Sequence, residues 1–63
     1  MIINGKEHNY QNITITNLLK ELKIHEKMIV VELNQVIVGQ KQFDEQMLKK
    51  DVKVEIVSFV GGG

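Results

Sequence analysis

Val52-Lys53-Val54-Glu55-Ile56-Val57-Ser58-Phe59-Val60-Gly61-Gly62-Gly63 closes the sequence, and its reading decides the fold. Val52, Val54 and Ile56 alternate with Lys53 and Glu55, a two-residue period that gives a strand one buried and one wet face. The strand runs directly into three glycines. Because glycine has no Cβ, such a stem fits a channel too narrow for any other residue. Fully extended, three residues reach roughly 10 Å, enough to carry a terminal carboxylate into another protein's active site. We therefore expect a folded body, residues 1–60, and a flexible glycine tail, residues 61–63.

The segments upstream supply partners for that strand. Residues 28–33 are rich in β-branched side chains, and Ile29, Val31 and Leu33 can share a core-facing side. Asn34-Gln35 reads as a turn into Val36, Ile37 and Val38. Residues 39–50 are more polar and read as a loop with a turn of helix, anchored by Phe43, Met47 and Leu48. Met28, Met47 and Leu48 are expected to fill core space, methionine being an adaptable packer. At the other end, residues 1–4 read as a strand and Asn4-Gly5 as a two-residue hairpin turn, because both positions tolerate positive φ. Residues 7–10 would be the returning strand. Thr14 then offers a hydroxyl to first-turn amides, and Ile15, Leu18, Leu19 and Leu22 recur at helical spacing, which predicts a helix over 15–23.

A hairpin followed by one amphipathic helix and further strands gives a two-layer α+β domain. The order suits a β-grasp, or ubiquitin-like, mixed sheet with one main helix packed on one face and the first and last strands parallel at its centre.

Composition narrows the function. Sixty-three residues make one small domain with little room for an internal active-site cleft. Eight basic and eight acidic residues cancel without a basic, aromatic-laced stretch, so nucleic acid is not an expected partner. The apolar runs fall far short of the roughly 20 residues that span a bilayer, and no signal-peptide pattern opens the chain, so we expect a cytoplasmic protein with no membrane partner. Without cysteine there is no thiolate metal site and no thiol nucleophile. His8 and His25 stand in polar surroundings without companions at ligand spacing, and Asp44-Glu45 has no further acid or base beside it. Lys20-Glu21 and Lys49-Lys50-Asp51 read as solvated charges. No metal and no catalytic residue is expected.

The terminal carboxylate is then the best candidate reactive group. Ionised at neutral pH, it is a poor electrophile and requires activation. A mixed anhydride with AMP, made from ATP, provides a leaving group that a sulfur donor can displace, yielding a thiocarboxylate without any thiol on the carrier.

Val31-Glu32-Leu33-Asn34, Ile37-Val38, residues 52–56 and Phe59-Val60-Gly61-Gly62-Gly63 together resemble the sulfur carrier proteins of thiamine biosynthesis, the ThiS family. The likeness extends to Asn4-Gly5 and to the helix start at Thr14-Ile15 with Leu18-Leu19, and so covers essentially the whole chain. It implies that Gly63 is adenylated by an E1-like adenylyltransferase and thiocarboxylated with sulfur from a donor protein, and that thiazole synthase receives the sulfur. ATP and magnesium would belong to the activating partner, with no cofactor on this chain. Gly62 and Gly63 match the family's terminal pair, and Gly61 is similar to an extra glycine found in part of it. The chain departs from the usual pattern at Asn17, where an acidic residue is common, at Gln35, where glycine often follows Asn34, and at Lys50, where glycine often precedes Asp51.

Val57 and Phe59 fall opposite Ile56 on a regular strand, so with Val60 they exceed what one buried face requires. An exposed apolar cluster there is expected to dock the partners; the competing reading has these residues complete the core or cover a sheet edge. Two other functions share the fold: the small subunit of molybdopterin synthase, whose proline-containing approach to the glycines is missing here, and a passive β-grasp interaction module with a frayed end.

Overall fold

Two asparagine-led turns organise the sheet. The structure, a computed structural model, describes residues 1–25 and 28–58. Asn4 and Gly5 have φ of 49° and 83°, and Asn34 and Gln35 have φ of 49° and 71°, the positive pairs that two-residue hairpins require. The first turn joins β1 (Ile2–Ile3) to β2 (Lys6–Glu7), and the second joins β4 (Ile29–Leu33) to β5 (Val36–Val38). Between them lie β3 (Ile13–Thr14) and α1 (Ile15–Glu21), and a 3-10 turn (Gln40–Gln42), β6 (Met47–Leu48) and β7 (Lys53–Ser58) follow.

The main sheet has the order β2-β1-β7-β4-β5, with β7 in the middle. β1 runs parallel to β7, Ile2 opposite Lys53 and Ile3 opposite Val54, while β4 runs antiparallel to it from Ile29 opposite Ser58 to Leu33 opposite Val54. This is the expected β-grasp arrangement. One face packs on α1: Ile15, Leu18 and Leu19 meet Ile3, Val31, Val54 and Ile56 in a core closed by Met1, Phe43 and Leu48. Ile29, Leu33 and Val52 pack against its margin, so the predicted core sides of both long strands are the ones observed.

Four details differ from the sequence reading. The returning strand spans only Lys6–Glu7, because the polar run that follows offers no alternating side chains to the sheet. Tyr10 instead turns onto the core, with the His8 ring stacked on it at a centroid distance of 6.0 Å. The helix ends at Glu21 rather than residue 23. Lys23 takes φ 59° and its amide donates to the Lys20 carbonyl at 3.1 Å, while the Ile24 amide donates to the Leu19 carbonyl at 2.9 Å. Those are the paired bonds of a Schellman stop, here built on lysine instead of glycine.

Third, the polar stretch after β5 contains a strand, β6, that pairs antiparallel with β3 as a separate two-stranded sheet, Ile13 opposite Leu48 and Thr14 opposite Met47. Its loop also serves the helix N-terminus. The Ile15 amide donates to the Gln46 carbonyl and the Thr16 amide to the Phe43 carbonyl, while the Asn17 amide donates to the Thr14 hydroxyl, as expected of that cap. The Thr16 hydroxyl donates to Asp44, tying loop to helix a third time. Fourth, the two methionines expected in the core are exposed: Met28 precedes β4, and Met47 is the outward residue of β6 while its neighbour Leu48 is buried. Two-residue alternation allows only one of Met47 and Leu48 to face inward.

Candidate functional site: the end of the central strand

β7 is the strand that leads to the glycines, and its backbone is held at both ends by asparagine side chains. At its start, the Lys53 amide donates to Asn34 Oδ1 at 3.1 Å and the Asn34 amide donates to the Lys53 carbonyl at 2.9 Å. Along its length, the Ile2 amide donates to the Val52 carbonyl and the Asn4 amide to the Val54 carbonyl. β1 then turns away at Gly5. The Asn4 side chain carries the ladder one step further: its Nδ2 donates to the Ile56 carbonyl at 3.1 Å, and its Oδ1 accepts from the Ile56 amide at 2.7 Å. A backbone donor and acceptor that would otherwise lose their partner are thereby satisfied, and the strand stays aligned up to Ser58.

Neither asparagine was singled out by sequence reasoning for more than its turn. Both serve twice, because an αL backbone at the first turn position leaves the side-chain amide beside the neighbouring strand.

Alternation divides the end of β7 between two environments. Ile56 is buried on the helix side, whereas Val57 is 46% exposed on the outer face, directly opposite Val30 of β4. The outward placement of Val57 agrees with the expectation of surplus apolar surface there. Ile37, 67% exposed on β5, stands opposite Glu32 on the same outer face and extends that surface across the sheet. Nothing in the sequence distinguished Ile37 as the outward residue, because its neighbours Val36 and Val38 are equally apolar. Phe59, Val60, Gly61, Gly62 and Gly63 lie outside the described residues.

His25 is exposed, and among the described residues no three His, Cys, Asp or Glu side chains converge on a potential metal position. No described helix is long and apolar enough to cross a membrane. The shallow hollow beside α1 is lined by Leu19, Ile24, Ile29 and Phe43 with Lys20, His25 and Thr16, whose hydroxyl is engaged by Asp44. The geometry is that of a strand hydrogen-bonded on both sides whose outer face carries Lys53, Glu55 and the exposed Val57.

Comparison with known proteins agrees with that geometry. The ThiS family model matches residues 1–63. The sulfur carrier protein ThiS of Bacillus subtilis (strain 168) is 38% identical over 64 residues, covering 97% of this chain and 96% of that protein. A thiazole synthase of Paramagnetospirillum magneticum is 36% identical over 64 residues, a match that takes in all of this chain but spans only 20% of that longer protein. Among solved structures, the thiamine biosynthesis protein ThiS of Geobacter metallireducens superposes with a TM-score of 0.79 at 32% identity, covering 98% of this chain and 96% of that one. The chain belongs to the ThiS family, the small sulfur carrier proteins of thiamine biosynthesis.

Proposed function

We propose that the chain carries sulfur as a thiocarboxylate on Gly63 and delivers it for thiazole formation. The observation that carries this reading is the full-length match to a family of sulfur carriers, joined to a central strand, Lys53–Ser58, that is followed in sequence by Phe59-Val60-Gly61-Gly62-Gly63. In the first step the Gly63 carboxylate attacks the α-phosphorus of ATP on an E1-like adenylyltransferase, and magnesium pyrophosphate leaves. A sulfur nucleophile from the donor protein then attacks the acyl carbon and AMP leaves. Where that sulfur arrives as a persulfide, a thiol cleaves the resulting S–S bond and leaves the thiocarboxylate.

This chain contributes no acid, base or metal to those steps. Gly61 and Gly62 form a stem without Cβ atoms that threads the partner's channel, and Gly63 offers the acyl carbon least hindered by substituents. Val57, Phe59 and Val60 form the apolar surface that meets the partner's channel mouth. That a thiazole synthase of P. magneticum includes a segment similar to this whole chain supports thiazole synthase as the acceptor of the sulfur. The site of action is the cytoplasm, where ATP and the partner enzymes are found.

Pyrophosphate exchange tests the reading. With the cognate adenylyltransferase, the full chain should support ATP–pyrophosphate exchange, and a chain lacking Gly63 should support none while unfolding at the same temperature. Absence of exchange with the full chain contradicts the carrier function and favours a passive interaction module.

A further inference from the structure

The two edges of the main sheet are unlike. β2 is two residues long and both are charged, Lys6 and Glu7, an edge that resists further pairing. β5, at the other edge, is Val36-Ile37-Val38, uncharged throughout, with Val36 65% and Ile37 67% exposed. In antiparallel pairing, alternate residues direct their backbone groups to opposite neighbours, and the Asn34 amide, which donates to the Lys53 carbonyl, points to β7. Leu33 and its partner Val36 therefore exchange backbone bonds, as do Val31 and Val38, while the Ile37 amide and carbonyl point away from β4 into the open edge. Among the described residues no strand pairs with them. Val36 repeats the mismatch in its side chain: it stands opposite Leu33 on the helix side of the sheet, yet it is left uncovered.

We propose that β5 pairs with β5 of a second copy of this chain, antiparallel about a two-fold axis through Ile37, joining two five-stranded sheets edge to edge. The proposal does not depend on what the tail carries. Three observations select a second copy. First, the strand is self-complementary: the axis sets Ile37 opposite Ile37 of the second copy and Val36 opposite its Val38, so apolar side chains meet on both faces. Each Ile37 then gives its edge-facing amide to the other's carbonyl, the reciprocal exchange that a two-fold axis demands. Second, charge offers no obstacle, because residues 35–39 carry none and the eight basic and eight acidic residues of the chain cancel. Third, the charged β2 edge stops growth, so pairing closes at two copies instead of running on as a fibre. Three paired residues a side fall short of the roughly 1,200 Å² of a standard interface, so the dimer is weak, with a Kd on the order of 100 μM.

The test is sedimentation equilibrium of the full chain from about 10 μM to 1 mM, with amide hydrogen exchange followed by NMR at both ends of that range. The wild-type chain should pass from monomer to dimer. Exchange at the Ile37 amide should slow several-fold at the higher concentration, while the Val36 and Val38 amides, already bonded to β4, change little. Ile37→Lys, which sets two lysines opposite each other at the axis, should raise Kd at least about tenfold. Met28→Lys adds the same charge at a position 65% exposed and off the edge, and should keep the wild-type Kd. Both variants should unfold at the wild-type temperature in dilute solution, because both positions are exposed. The exchange pattern of the wild-type chain decides the same question without any substitution. A chain that stays monomeric throughout, a Kd unchanged by Ile37→Lys, or growth beyond two copies overturns the proposal. Protection of Ile37 that appears only on adding the adenylyltransferase or thiazole synthase assigns the edge to a strand of that partner and overturns the pairing of two copies.

Discussion

The Asn4 side chain pairs with the Ile56 backbone as a neighbouring strand would, donating to its carbonyl at 3.1 Å and accepting from its amide at 2.7 Å. A turn residue 52 positions away in sequence thus secures the last stretch of β7 before the tail. Asn4→Gly keeps the positive φ and removes both bonds, and should cost about 1–3 kcal/mol because the Ile56 amide and carbonyl are left with poorer partners. Asn4→Ala should cost more, since it also places a Cβ residue without a local hydrogen bond at φ 49°. Urea unfolding of the two variants separates the terms, and equal stability of Asn4→Gly and wild type would show that the pairing contributes nothing.

Gln35 occupies a position that favours glycine, with φ 71° and an exposed side chain. Gln35→Gly should stabilise the protein by up to about 1 kcal/mol, the αL strain removed being partly offset by the extra freedom of glycine in the unfolded chain. In a domain of this size that corresponds to a rise in Tm of about 4–8 °C per kcal/mol, read by calorimetry. Lys23→Gly at the helix stop, with φ 59°, should act in the same direction, and the two gains should add because the sites share no partner.

Those two positions also show what the sequence conceals. Alternation in residues 52–56 and the stripe of Ile15, Leu18 and Leu19 were legible because burial imposes a period, and the hairpin at Asn4-Gly5 was legible because glycine announces positive φ. Lys23 and Gln35 adopt the same backbone region without that announcement, so the helical spacing runs on two residues past Glu21 and the second turn shows no type in its sequence. β6 escaped notice because two residues are too few to display a period. The outward Met47 and Met28 follow from the same lack: hydrophobicity indicates what can be buried, and only register decides what is. Of the candidate site, the outward side of β7 was legible at Val57, whereas the second hydrogen-bonding role of Asn4 and Asn34 and the outward place of Ile37 come from cross-strand neighbours that no local pattern reveals.

Leu18 has no exposed surface and sits under the centre of the sheet. Leu18→Ala should cost about 2–5 kcal/mol. Against a total stability of about 3–9 kcal/mol for a chain of this length, that removes a large share of it and should lower the urea midpoint read by circular dichroism. Met28→Ala and Met47→Ala, at exposed positions, should each stay within about 0.5 kcal/mol of wild type, and a core-sized loss at either would contradict their outward placement.

Val57→Ala removes exposed apolar surface and should change stability by no more than about 0.5 kcal/mol. Under the proposed docking role, Val57→Ala and Phe59→Ala should each lower kcat/KM for activation several-fold, chiefly through KM. Unchanged activation kinetics in both would remove the outer end of β7 from the interface.

The central claim is that Gly63 carries the sulfur, and intact-mass spectrometry of the full chain after incubation with its adenylyltransferase, ATP and a sulfur donor tests it most directly. The predicted result is a mass increase equal to the exchange of one oxygen for one sulfur, assigned by fragmentation to Gly63 and absent when ATP is withheld. A mass that never changes with active partners, or a sulfur found on any other residue, would contradict it.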